Sequence, residues 1–350
     1  MKHAEMTPME RVLTTLSHKE PDRVPLFLML TMHGAKELGL SIKEYFSKAE
    51  NVAEGQKRLQ KKYTSDCYYP FFYAPIEVEA FGAEVIYSED GPPNSGLPVI
   101  NNISDIKKLE APRVENTKVL HKVLKSIEIL KAESKGNLPI IGVAMSPFSL
   151  PVMQLGFEKY LELMHYHLDL FEHLMKINMA FCIDWANAQL AAGATAICYF
   201  DPVSSTTIVP KELYYKTGFQ VAKQTIAKIN GPTATHFASG NCLTLSGLLL
   251  QTGTAVVGVS AQENISELKQ AFKNKLSVLG NLNGIEMRRW TKEEATNIVK
   301  GVIEKAASGG GFILADNHGE IPFQVKDETL LAIKEAVKKY GTYPIQKVQA

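Results

Sequence analysis

Short, β-rich apolar segments recur along this 350-residue chain, at 24–30, 67–73, 83–87, 140–144, 196–200, 233–237, 255–259, 277–279 and 312–314, with longer amphipathic stretches between them. Strands that alternate with helices pair in parallel, because each return crossover takes up a helix's length of chain. The intervening stretches carry the helical period. Between Glu158 and Trp185 the residues Leu161, Leu168, Phe171, Leu174, Ile177, Phe181 and Trp185 recur mostly every three or four positions, which predicts a helix over 158–185. Thr291, with Glu294 three residues on, predicts a capping box and a further helix running towards Gly309. Roughly eight strand–helix units without a linker or a fixed repeat predict an α/β fold, a single (β/α)8 TIM barrel over 1–350 with an N-terminal helical extension.

Composition removes several function classes. With 38 Lys+Arg against 37 Asp+Glu the net charge is +1, which gives no electrostatic footprint for nucleic acid. No apolar run approaches the ~18 residues that cross a bilayer, and the start shows no secretory pattern, so no membrane partner and a cytoplasmic location are expected. The four cysteines form no C-x-x-C pair and read as reduced thiols. Oligomeric state stays open, a homodimer included.

In a TIM barrel, chemistry sits just past the carboxyl ends of the strands. Polar residues cluster there: Met145-Ser146-Pro147, Asp201, 236–241, Gln262-Glu263, Asn281 and 316–319 each follow a different apolar segment. The largest pocket is therefore expected at this end, with Asp201, His236 and His318 facing it and His236 in a water-filled mouth. His236 reads either as a metal ligand or substrate donor, or as a histidine satisfied by a loop carbonyl. His318 is the second imidazole. Zinc would want a third ligand, for which Cys242, Glu263 and Glu320 are available, but the metal candidates His236, His318 and Cys242 stand at no diagnostic spacing. Asp201, before Pro202, reads as a general base or as a turn cap. The Gly309-Gly310-Gly311 run precedes a strand instead of opening a helix, so it reads as a turn and not as a phosphate loop. The aromatic run at 68–73 lines a pocket or fills core. His165, His167 and His173 read as the outer side of an amphipathic helix.

Specific stretches carry a family resemblance. Thr7-Pro8-Met9-Glu10-Arg11-Val12-Leu13, Pro21-Asp22-Arg23-Val24-Pro25, Glu79-Ala80-Phe81-Gly82-Ala83-Glu84-Val85, Phe200-Asp201-Pro202-Val203-Ser204-Ser205, His236 with Gly240-Asn241, Gly280-Asn281-Leu282 and His318-Gly319 resemble uroporphyrinogen decarboxylase-like proteins, especially the branch of methylcobamide:coenzyme M methyltransferases. The resemblance spans nearly the whole chain and implies the same barrel.

Departures from the pattern narrow what it implies. Decarboxylases carry an early Arg-rich motif, where this chain has Leu30-Thr31-Met32-His33-Gly34, and an Asp where Tyr73 stands. A porphyrinogen with several carboxylates needs fixed cations, for which Arg is suited. The thiol-activating methyltransferases bind zinc through His-x-Cys-Gly-Asn, an acidic residue and a late Cys. Here His236 is kept, Ala238 and Ser239 occupy the region of the first Cys, Gln262 takes the acidic position and His318 that of the second Cys. Loss of both thiolates makes zinc weak or absent. The resemblance then implies a corrinoid-dependent methyltransferase. It would act between a methylcobamide, carried by a separate corrinoid protein because no D-x-H-x-x-G signature is present, and a small-molecule methyl donor or acceptor. Asp201, His236, Gln262 and His318 are its expected catalytic residues, and His33, Tyr73, Ser146, Ser239, Asn241 and Asn281 its substrate contacts. The alternatives are a lyase on a different carboxylate and a non-catalytic tetrapyrrole-binding barrel.

Overall fold

The computed structural model describes residues 5–346, so the outermost ends of the expected 1–350 span lie outside the described residues. Seven parallel strands form one curved sheet in the order β1 (Leu26–Phe27), β9 (Phe312–Asp316), β8 (Ser277–Leu282), β7 (Val256–Gly258), β6 (Thr233–His236), β5 (Ala196–Phe200) and β4 (Ile141–Met145), an α/β TIM-barrel-like fold. Alternation along the strands separates inside from outside. Cys198 stands in register with Val143 on one side and Ala234 on the other. These face the barrel interior with Val256, Leu279 and Ile313, whereas Ile197 and Tyr199 pack outward under the helices.

Three expectations are corrected. The 83–87 segment is no barrel strand. Only β2 (Val85–Ile86) forms there, in an antiparallel pair with β3 (Asn94–Ser95). The 67–73 segment makes a single bridge, Tyr68 to Ile140. The helix over 158–185 is two helices, Phe157–Tyr166 and Leu168–Ala192, that part at His167. Leu168 is exposed, so the apolar stripe slips register at that break. The helix Lys292–Ala306 opens on the Thr291 and Glu294 capping box as predicted.

The irregular segment 65–69 fills the gap between β4 and β1, and side chains complete what an eighth strand would supply. On β4, Ile141 N–H donates to the Tyr68 carbonyl at 3.0 Å. Val143 donates to Gln189 Oε1 at 3.0 Å and accepts from Gln189 Nε2 at 2.8 Å, and Met145 N–H donates to Glu77 Oε1 at 2.8 Å. On the β1 side, Leu26 N–H donates to Asp66 Oδ2 at 2.8 Å. Gln56 spans the seam by donating to the Leu30 carbonyl at 2.7 Å and accepting from Tyr69 N–H at 2.9 Å. Asp66 also receives Arg11 at 2.6 Å and Arg23 at 2.7 Å. Arg11 binds Asp22 as well, which holds the helix Pro8–Leu16 across the end where the strands begin.

Burial pushes the Glu77 carboxyl up to about 8, against the pull of the Met145 N–H. The folded state therefore holds a proton that the unfolded chain has lost, and stability present at low pH is lost as pH rises through 8. Glu77→Gln, which keeps an oxygen for Met145, should gain stability over the wild type as pH rises from about 5 to 9, by up to ~1.4 kcal/mol per pH unit. Urea unfolding at several pH values measures this, and a pH-independent difference would contradict it.

Candidate functional site

His236 closes β6 and is fully buried, with its ring stacked on Phe200 at 5.5 Å between centroids. Its Nδ1 accepts from Ala238 N–H at 3.0 Å, which assigns the neutral ring's proton to Nε2. Nε2 finds no hydrogen-bond partner among the described residues. Burial, aided by His318, pushes this imidazole down to about 4, so it is neutral near pH 7. The close approach of β7 demands a glycine, since a Cβ on Gly258 would lie 2.3 Å from His236 Cδ2. A Cβ on Gly319 would stand 2.8 Å from Phe200 Cε2, which shows how tightly the loop after β9 seats against the same aromatic pair.

That loop carries two carboxyls of raised pKa. Asp316 is buried. Its Oδ2 accepts from the N–H groups of His318 at 2.8 Å and Gly319 at 2.9 Å, and its Oδ1 is unpartnered among the described residues. Burial pushes Asp316 up to about 6 although the loop N–H groups pull it down. Glu320 accepts from the Thr31 hydroxyl and is pushed up to about 7, by burial first and by Asp316 in addition. Tyr69, in the seam, donates to the Gly319 carbonyl at 3.0 Å. His318 is half-buried, lowered by burial, and its Nδ1 is unpartnered among the described residues.

The remaining expected residues divide. Asp201 is fully buried, with Oδ1 accepting from the Ser146 and Ser149 hydroxyls and Oδ2 from Ser204. Burial raises its pKa while these hydroxyls lower it. It clasps the loops after β4 and β5 and opens onto no mouth. Gln262 is exposed, and Glu263 turns inward instead, accepting from the N–H groups of Cys242 at 2.9 Å and Leu243 at 2.8 Å. Asn281 donates to the carbonyls of Ser260 at 2.9 Å and Glu263 at 3.3 Å. The carbonyl of Ser239 accepts from Ser260 at 2.9 Å, and that of Asn241 from Ser205 at 3.2 Å. These residues knit the strand-end loops to one another. His33 and Tyr73 take no part in these bonds. His33 packs edge-on against Phe323 and is pushed by burial to about 3, and Tyr73 donates to Glu79 at 2.7 Å within an aromatic core.

Two further expectations are corrected. His236 sits under Phe200 and Gly319 and not in a water-filled mouth. Among the described residues a crevice of about 790 Å³ beside Asp22, Arg23, Lys334 and Thr342 lies where the strands begin, and it exceeds the one of about 510 Å³ beside Glu263, Asn281 and Asn283 at the carboxyl ends. Sequence reading took Glu320 only as a third metal ligand and passed over Ser149 and Thr31, which carry no motif.

The donor set does not fit zinc. Among the described residues no three His, Cys, Asp or Glu side chains gather to hold a metal ion. The Cys242 thiol is buried beside Glu263, where burial and that carboxylate push its pKa up.

The family described as uroporphyrinogen decarboxylase (URO-D) matches residues 7–340. A uroporphyrinogen decarboxylase of Geobacter sulfurreducens is 25% identical, over 94% of this chain and 98% of that protein. A methylcobamide:CoM methyltransferase of Methanosarcina acetivorans is also 25% identical, over 86% and 90%. Among solved structures, a methyltransferase from Methanosarcina mazei superposes with a TM-score of 0.85 at 19% identity, over 96% of this chain and 99% of that one, a likeness of fold. No helix among the described residues is long and apolar enough to cross a membrane.

The fit of His236 against β7 is open to a double-mutant cycle. Gly258→Ala should cost about 2–3 kcal/mol by overpacking the ring, and much less in a His236→Ala background. Equal losses in the two backgrounds, read by denaturant unfolding, would show that the ring and the strand do not press on each other.

Proposed function

The chain belongs to the uroporphyrinogen decarboxylase family, and from that premise we propose that it moves a methyl group between a corrinoid on a separate protein and a small, weakly charged donor or acceptor. The observation that carries this reading is the neutral His236 imidazole with its unpartnered Nε2–H. A second observation weighs against a polycarboxylate substrate. Arg11 is the one fully buried arginine among the described residues, and it is bound to Asp22 and Asp66 at the far end of the barrel.

A methylcobamide, when bound, supplies or takes the methyl group at its cobalt. Residues of this chain do the rest. Once the loop after β9 moves off the ring it covers, His236 donates from Nε2 to the heteroatom on which charge develops as the methyl group leaves or arrives, a contact that strengthens in the transition state. Glu320, pushed up to about 7, keeps a transferable proton close to that point, and Asp316, pushed up to about 6, is the carboxylate beside it that can accept one. Asp201 and its serines hold the strand-end loops in place. A carboxy-lyase is the competing reading, since a decarboxylase relative is equally similar.

Incubated with methylcobalamin and a panel of thiol, folate and methoxyaromatic partners, the protein should change the corrinoid absorbance with at least one of them. His236→Asn should slow that change on the order of 10²-fold. His236→Ala is the poorer variant, because removing a fully buried ring should cost about 2–3 kcal/mol of folding free energy. Absence of any corrinoid exchange, with release of CO2 from a carboxylate substrate, would replace this reading by the lyase. Tight corrinoid binding without turnover would replace it by a non-catalytic barrel.

A further inference from the structure

TIM-barrel interiors are filled by bulky branched residues in layers. Here two inward positions in register carry small side chains, Cys198 on β5 and Ala234 on β6. They leave a cavity of about 130 Å³ at the end where the strands begin, walled also by Val12, Phe27, Met29 and Tyr69.

The hydroxyl donors of its polar neighbours are already engaged. The Thr195 hydroxyl donates to the Ile140 carbonyl, the Thr233 hydroxyl to Thr254, and the Tyr69 hydroxyl to Gly319. A water molecule needs two to four polar partners, and apolar cavities of about 150 Å³ stay dry and take up benzene or xenon. The helix Pro8–Leu16 roofs the space with Met9, Val12, Leu13 and Leu16, and Leu13 remains largely exposed, so entry lies between this helix and the strand beginnings.

We infer that the barrel floor is a binding site for one small uncharged hydrocarbon, an arene or branched alkane of about six carbons. The site is separate from the strand-end chemistry but mechanically joined to it. Tyr69 holds the Gly319 carbonyl, and the Met29 carbonyl accepts from Ile321 N–H at 3.0 Å, so two wall residues grip the loop that carries His318 and Glu320.

Benzene and xenon are the probes. Benzene near saturation should raise the unfolding midpoint of the wild type by about 2–4 °C. Ala234→Leu, which fills the cavity, should abolish the rise. Xenon-pressurised crystals should show a peak between Phe27, Tyr69 and Cys198 that weakens in Cys198→Val, which serves if Ala234→Leu does not fold. The inference is overturned by no midpoint rise together with no xenon peak, by an equal rise in the filled variant, or by ordered water in the cavity.

Discussion

The fold depends on how the open edge of β4 is satisfied. A buried strand edge left without partners costs about 1–3 kcal/mol for each polar group, and here the neighbouring strand is reduced to one bridge at Tyr68. Gln189 and Glu77 supply the missing bonds on β4, and Gln56, from a third helix, ties Tyr69 to the β1 side of the seam. Because they are side chains, they fix the seam only where their helices are already docked, so closure of the barrel and packing of its outer layer are one event. The seam reaches the site directly. Tyr69 emerges from it to hold Gly319, and Gln56 fixes the Leu30 carbonyl beside Thr31, the partner of Glu320.

Electrostatics at the strand ends follow from the same dryness. Burial drives an imidazole towards neutrality and carboxyls towards protonation, so near pH 7 His236 is neutral and Glu320 holds part of its proton, while Asp316 stays mostly ionised. Such a site repels a polyanion less than ionised carboxylates would, and the one buried arginine among the described residues, Arg11, is tied to Asp22 and Asp66 at the far end. It suits a substrate whose charge changes at a single atom during reaction.

Much of this was legible in the sequence. Strands β4 to β9 announce themselves as apolar β-rich runs, and polar residues stand at their carboxyl ends, as His236 closes β6 and Asp316 closes β9. The 67–73 run was misleading because its aromatics satisfy both strand and core patterns. Its backbone partners are distant side chains such as Gln56, which no local period encodes. The 83–87 run has strand composition, but its β2 pairs with the short strand β3 and not with the barrel. Asp201 looked catalytic by position. Its role depends on Ser149, in the loop after the neighbouring strand β4 and unremarkable in sequence. Gln262 and Glu263 differ by one position, and only the turn geometry after β7 decides which faces inward.

The central claim is that His236 stands neutral with its proton on Nε2, facing the strand-end loops. Long-range ¹H–¹⁵N correlation of ¹⁵N-histidine-labelled protein, assigned through His236→Asn and titrated with pH, tests it most directly. The account predicts the Nε2–H tautomer at neutral pH, persisting on acidification until near pH 4. An Nδ1–H tautomer, or an imidazolium already formed at neutral pH, would contradict it.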